Sequence, residues 1–338
     1  MSDVQPAPPK RRLRLIVGIV GYAAVLTVAW TSVDRVKFAA GIAHLRVLDV
    51  CAVLALSVLH ISGRGARFHW LVRSAKPSSD YRFVRGFAIF LAGLSAGAVT
   101  PARAGDLVKA ELLARYDVPR SAGVGLVLVE RVLDLVVMAT TISAAAIVVG
   151  GPSRWGQLAA GLLAILFAGL FVLSRGRWRR AGLAFIRGRV AAKSGRIAGL
   201  LDALARMLDV WDPLFAAPRR LGLLLVGSLA VWSLEFGKLW VLLRLLGHDV
   251  PIEVVFLAYP VSVIAGVLTL LPFAEGVVAV TGVALLGSLC SLDTAAATLA
   301  VTLDRVASCA PPLVLWLVFA ALGRAVRGSE PSIAAPRR

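Results

Sequence analysis

The stretch AGAVTPARAGDLVKAELLAR, Ala96 to Arg115, sets Arg103, Asp106, Lys109 and Glu111 directly after an apolar run that Thr100-Pro101 breaks. Its reading decides the fold, because the chain around it is 59% hydrophobic, with a mean hydropathy of +0.83. Soluble domains carry roughly 45–50% apolar residues. The apolar residues here also fall in blocks of the order of 20 residues, the length of helix that crosses a hydrocarbon layer. The chain is therefore read as an all-α, polytopic membrane protein.

Clear apolar blocks run at 13–33, 47–62, 83–100, 121–150, 156–174, 221–246, 252–271, 276–290 and 294–322. The charges between them set the orientation. Lys10, Arg11, Arg12 and Arg14 put the N-terminal tail, 1–12, on the cytoplasmic side. The segment 63–85 carries Arg64, Arg67, Arg73, Lys76, Arg82 and Arg85 against Asp80 and is assigned to the same side. So is 175–220, with eleven Lys/Arg against Asp202, Asp209 and Asp212, and so is the tail 323–338. No signal-peptide cleavage site stands out after the first block, so it is read as a retained span.

Between 85 and 175 the chain must cross an even number of times, yet three apolar blocks lie there. The parity is restored if 83–100 enters from the cytoplasm, turns at Thr100-Pro101 and returns through 104–115. Pro101 frees backbone groups, which membrane depth tolerates only where protein or water covers them. The opening stretch is thus the turn and return limb of a re-entrant hairpin, within about eight membrane helices in all. Blocks 252–271 and 276–290 form either two spans or a second hairpin broken at Pro272.

The two regions resemble each other. Pro101 and Gly105 precede Glu130-Arg131; Pro272 and Gly276 precede Asp304-Arg305; the proline-to-arginine separations are 30 and 33 residues. With the topology above, the units 83–150 and 252–322 form a weak inverted repeat, an arrangement in which transporters place their substrate site at the repeat interface.

Ionisable side chains at bilayer depth cost several kcal/mol, about 2.5–3.5 at a helix centre. This chain has Glu130, Arg131 and Asp134 in one apolar block, Glu235 and Lys238 in another, Asp304 and Arg305 in the last, and Glu275 after Pro272. They are either structural ion pairs or a binding site. Recurrence in both halves, nearness to helix breaks and mixed sign favour a site. There Arg103, Lys109, Arg131 and Arg305 coordinate a lipid phosphate, and Asp106, Glu130, Asp134, Glu275 and Asp304 keep the empty site near neutral.

The formal net charge of +18 clusters between apolar blocks, where anionic lipid accounts for it and nucleic acid is not called for. Cys51, Cys290 and Cys309 lack metal spacing and read as buried apolar thiols. His44, His60, His69 and His248 are scattered at block edges, in interfacial or packing roles. No HExxH, GxSxG, P-loop or nucleotide-sugar motif is present, so neither an enzyme nor a cofactor is expected. Within 175–220, Ile197, Leu200, Leu201, Leu204 and Leu208 follow helical spacing, as for an amphipathic helix on the leaflet surface, or a solvated connector. The region 66–82, with Phe68, Trp70 and Leu71, is a second interfacial candidate.

At TPARAGDLVKAELLAR, followed by VLVERVLDLV and later by LPFAEGVV and LDRV, the chain resembles the lysylphosphatidylglycerol synthase transmembrane-region family, also called flippase-like or UPF0104 integral membrane proteins. The family's proline-glycine-acid turn corresponds to Pro101, Gly105 and Asp106. Its Glu-Arg-x-x-Asp element corresponds to Glu130, Arg131 and Asp134, and its terminal arginine to Arg305. The second turn departs from the family's glycine-rich pattern at Pro272, Glu275 and Gly276. The resemblance implies translocation of a phospholipid or other lipid-linked headgroup across a bacterial cytoplasmic membrane, with the soluble aminoacyl-transferase domain of bifunctional relatives absent. Its partners would be anionic or lipid-phosphate headgroups, with a homo-oligomer or a membrane enzyme as further partners. The alternative is a non-transporting scaffold for a glycosyltransferase or lipid-modifying enzyme.

Overall fold

The computed structural model describes residues 35–75, 77–98, 100–150, 157–158, 160–161, 164–165, 167–169, 175–190, 201–202, 204–205, 207–212, 218–269 and 275–328. The first apolar block, 13–33, and the turn residue Pro272 lie outside them, as does most of 156–174. The described elements are helices: α1 (Arg35–His44), α2 (Val47–Arg73), α3 (Phe83–Ala98), α4 (Val108–Leu113), α5 (Arg120–Gly150), α6 (Gly176–Val190), α7 (Pro218–Leu245), α8 (Ile252–Leu268), α9 (Glu275–Cys290) and α10 (Thr294–Gly328). Among the described residues, Val47–Arg73, Arg120–Gly150 and Arg219–Leu245 are long and apolar enough to cross a membrane, and Phe83–Gly97, Ile252–Leu268 and Gly276–Cys290 are shorter apolar helices. The protein is an all-α polytopic membrane protein.

The opening stretch folds back as a hairpin. The backbone turns through a 3-10 segment, Pro101–Leu107, and continues as α4, a shorter return helix than the sequence suggests. Proline at the first position suits that start, because its missing N–H would have no partner there. Thr100 pins the turn: its hydroxyl donates to the Ala96 carbonyl at 2.9 Å and accepts the Gly105 amide at 2.7 Å. Gly105 sits so close to Ala96 and Gly97 that a Cβ would collide with their backbone. Gly93 and Gly97 on α3 leave space for the Lys109 and Asp106 side chains of the return limb, and Gly123 on α5 does so for Ala110. Four glycines therefore let backbone and charged side chains approach where bulkier residues would hold them apart.

α8 and α9 also pack together, and α9 packs on α10. α10 carries the Asp304-Arg305 pair, as α5 carries Glu130-Arg131. Two apolar cores form. One gathers Phe68, Leu71, Phe90, Leu113, Leu126 and Leu133 around α2, α3 and α5; the other gathers Phe236, Leu243, Val255, Tyr259, Leu286 and Val301 around α7 to α10.

Three expectations are corrected. α2 runs on through Arg73, so Arg64 and Arg67 lie in a helix, where they are buried, and not in a loop. Phe68 and Leu71 are core residues; only Trp70 of that group is exposed. Cys51 and Cys309 are exposed, on apolar outer helix faces, and Cys290 is half-buried against the edge of the second core. Ile197 and Leu200 lie outside the described residues. Leu204 is exposed, whereas further along the Met207 backbone abuts Gly125 of α5 and Trp211 is buried.

Candidate functional site: two buried charge clusters on one seam

α2 and α7 face each other along polar stripes. Ser57, His60, Arg64 and Arg67 recur at three- and four-residue intervals on α2; Ser228, Trp232, Glu235 and Lys238 do so on α7. Such spacing puts each set on one helix face. All eight are buried.

At one end lies the first cluster. Lys109, from the return limb, donates to Glu130 Oε2 at 2.8 Å and lies 3.3 Å from Asp106 Oδ1. Its ammonium also sits over the Phe68 and Phe90 rings, at 5.0 and 5.1 Å. Arg131 meets Asp106 at 2.5 Å and Asp134 at 3.5 Å. Arg67 donates to Asp134 at 2.7 Å and to the Ser228 hydroxyl at 2.7 Å. Arg64 lies 3.6 Å from both Glu130 and Asp134. Four cations thus enclose three carboxylates. The side chains of six of the seven are at most 5% exposed; Arg131 keeps 26%. In so closed a place charges persist only when paired and hydrogen-bonded.

The second cluster balances two cations with two anions. Lys238 donates to Glu235 at 3.0 Å and to the Ser308 hydroxyl, and lies 3.3 Å from Asp304. Glu235 accepts from Tyr259 and Ser308, each at 2.7 Å. Arg305 pairs with Asp304 and stacks on the Tyr259 ring at 4.7 Å. The cleft beside it, lined by Tyr259, Ser262, Gly282, Asp304 and Arg305, has a free volume of about 10 Å³, close to that of one water position.

Between the clusters stands Trp232. Its indole N–H donates to Asp134 at 2.9 Å, Arg64 lies over its ring at 5.4 Å, and His60 meets it edge-on at 5.6 Å. His60 Nδ1 must carry the proton it shares with the Val231 carbonyl, 2.8 Å away, because a carbonyl only accepts. That turns Nε2 towards Glu235, at 3.9 Å. Among the described residues no group of histidines, cysteines and acids has the spacing to hold a metal ion.

Of the residues singled out in the sequence, Asp106, Lys109, Glu130, Arg131 and Asp134 come together, while Asp304 and Arg305 join Glu235 and Lys238 in the other cluster. They form two sites on one seam, not one cavity. Pro101 and Gly105 make the first turn, and Gly276 is buried in the first turn of α9. Glu275 begins α9, but its side chain and that of Arg103 lie outside the described residues. Arg64, Arg67, His60, Trp232, Tyr259 and Ser308 are additions. The stripe spacing on α2 and α7 is the sequence signal that identifies the first four.

The sequence pattern of the family described as Lysylphosphatidylglycerol synthase TM region matches residues 15–325. The chain is also similar to a protein named Glycosyltransferase AglD from Haloferax volcanii, with 27% identity over 333 residues. That match takes in 87% of this chain and 52% of the relative, so the chain spans about half the relative's length.

Proposed function

We propose, from the premise that this chain belongs to the lysylphosphatidylglycerol synthase TM region family, that it moves a lipid headgroup between the two leaflets, its charges passing along the seam between α2 and α7. The reading is carried by the one charged side chain of the first cluster that keeps an opening: Arg131, 26% exposed and paired with Asp106. A guanidinium binds a phosphate through two parallel N–H donors, as it binds a carboxylate. An arriving lipid phosphate displaces Asp106 from Arg131, and Asp106 keeps Lys109 as its counter-ion, 3.3 Å away. Exchange of one anion for another avoids stripping a charge bare in a medium of low dielectric. The acyl or polyprenyl tails stay in the bilayer, so only the headgroup needs a polar path. In this reading the chain catalyses no covalent step, takes no cofactor and sits in a bacterial cytoplasmic membrane with both termini on the cytoplasmic side.

The test is reconstitution into vesicles whose labelled phospholipid starts in one leaflet. Wild type should accelerate its redistribution, and Arg131→Ala and Asp106→Ala should slow it. Equal rates in all three, with folding intact, overturn the proposal.

The similarity to a protein named a glycosyltransferase, of which this chain spans about half, favours a second reading. Here the chain is a membrane scaffold that seats a glycosyltransferase or lipid-modifying enzyme. Wild-type vesicles would then move lipid no faster than protein-free ones, and the charge clusters would serve stability alone.

A further inference from the structure

α6 stands apart from the charge clusters in kind. Its sequence, GRWRRAGLAFIRGRV, has five arginines in fifteen residues and no acid. It also exposes Trp178, Phe185 and Ile186, at 58%, 60% and 46%. Trp178, Ala181, Gly182 and Phe185, spaced by three, four and seven, share one face, which Arg189 joins only in the last turn; positions 180 and 187 fall on the opposite side of the helix. A Cβ added at Gly182 or at Gly188 would meet nothing within 4 Å, so both of these flanks are open.

Tryptophan and phenylalanine exposed together on a helix need an apolar cover, and five arginines need an anionic one. A bilayer leaflet containing acidic lipid supplies both at the same depth: hydrocarbon for the rings, phosphates for the guanidiniums, whose stems reach outward from the apolar face. We propose that α6 is an anionic-lipid-binding helix that lies in the interface of the leaflet, Trp178 and Phe185 inward. Each arginine near an acidic surface strengthens attachment about fivefold, an attraction that fades within a Debye length of about 8–10 Å. Trp178 adds the interfacial preference of an aromatic ring with a polar N–H. α6 precedes α7, the helix that carries Trp232, Glu235 and Lys238, by fewer than thirty residues, so the composition of one leaflet is read close in sequence to the seam. The inference holds whether or not the protein moves lipid.

The experiment uses the full chain with Cys51, Cys290 and Cys309 replaced by alanine. A nitroxide is attached at Ala181→Cys or Gly182→Cys on the apolar face, or at Arg180→Cys or Arg187→Cys opposite. Relaxation by oxygen, which concentrates in hydrocarbon, is compared with relaxation by a water-soluble nickel chelate. In vesicles of phosphatidylcholine with phosphatidylglycerol, oxygen should dominate at 181 and 182 and nickel at 180 and 187. Omitting phosphatidylglycerol, or combining Arg179→Gln with Arg189→Gln, should reduce that contrast severalfold. Free nickel access at all four positions overturns the proposal. So does protection at 181 and 182 that is indifferent to lipid charge, which would mean a protein surface covers the helix.

Discussion

Trp232 of α7 donates its indole N–H to the Asp134 carboxylate of α5 at 2.9 Å, and through that bond the two charge clusters share a wall. The acceptor, Oδ1, is the same oxygen that receives Arg67 at 2.7 Å. Arg64 covers one part of the ring and His60 touches another, and His60 in turn lies 3.9 Å from Glu235 of the second cluster. The arrangement makes the seam one continuous structure from Asp106 to Arg305.

Trp232→Phe keeps a ring in this place and removes the donor. Asp134 retains Arg67, so the loss should be that of one hydrogen bond to a charged group, about 1.5–3 kcal/mol. Thermal unfolding of the detergent-solubilised protein measures it. A variant as stable as wild type would show that Arg64, Arg67 and Arg131 satisfy Asp134 without the indole.

Lys109 holds two carboxylates at once, Glu130 and Asp106, with its side chain fully buried. Lys109→Met should destabilise the protein by about 3–5 kcal/mol, because it takes from buried Glu130 and Asp106 the ammonium they share. Adding Glu130→Gln removes one of the stranded charges and should restore part of the loss. Measured in a double-mutant cycle, the two costs should be clearly less than additive. Additive costs would place Lys109 and Glu130 in separate energetic units.

Gly105→Ala brings a methyl group against the Ala96 carbonyl and the Gly97 amide, and backbone cannot swing aside as a side chain can. The hairpin must open, at about 1–3 kcal/mol for overpacking. Gly237 of α7 is the control, since a Cβ there meets nothing within 4 Å. Gly237→Ala should be neutral or stabilising by up to about 1 kcal/mol through helix propensity. Equal melting temperatures for the two variants would contradict the close approach at the turn.

The hairpin was legible in the sequence because the charges between apolar blocks require an even number of crossings and Thr100-Pro101 marks the break; the backbone contact at Gly105 is a packing relation that the sequence does not report. Glu130, Arg131 and Asp134 were legible because three charges in an apolar block need a common partner. Arg64 and Arg67 were not, because a charge census assigns arginines near a block edge to the adjoining loop. The helix instead continues through them, since Glu130 and Asp134 on a distant segment offer the buried counter-charges. The division into two clusters was also invisible. It depends on α7 supplying Trp232 to one side and Glu235 with Lys238 to the other, a packing relation that no spacing within a single segment reports.

Arg131 and Arg305 provide the sharpest contrast between a bound phosphate and a merely structural ion pair. Arg305 keeps 14% side-chain exposure, lies stacked on Tyr259, and adjoins a cleft of about 10 Å³; Arg131 keeps 26% beside the turn. If lipid phosphate enters at Arg131, then Arg131→Lys preserves the charge but loses the two-donor fork. A charge-assisted bidentate contact contributes about 1.5–3 kcal/mol, so Arg131→Ala should slow lipid redistribution roughly 10- to 100-fold. Arg131→Lys should fall between that and wild type, while its melting temperature stays close to wild type because Asp106 and Asp134 keep a cation. Wild-type rates for Arg131→Lys would mean that a point charge is enough. A shared drop in stability for Arg131→Lys and Arg131→Ala, with no change in the rate per folded molecule, would assign Arg131 to the framework.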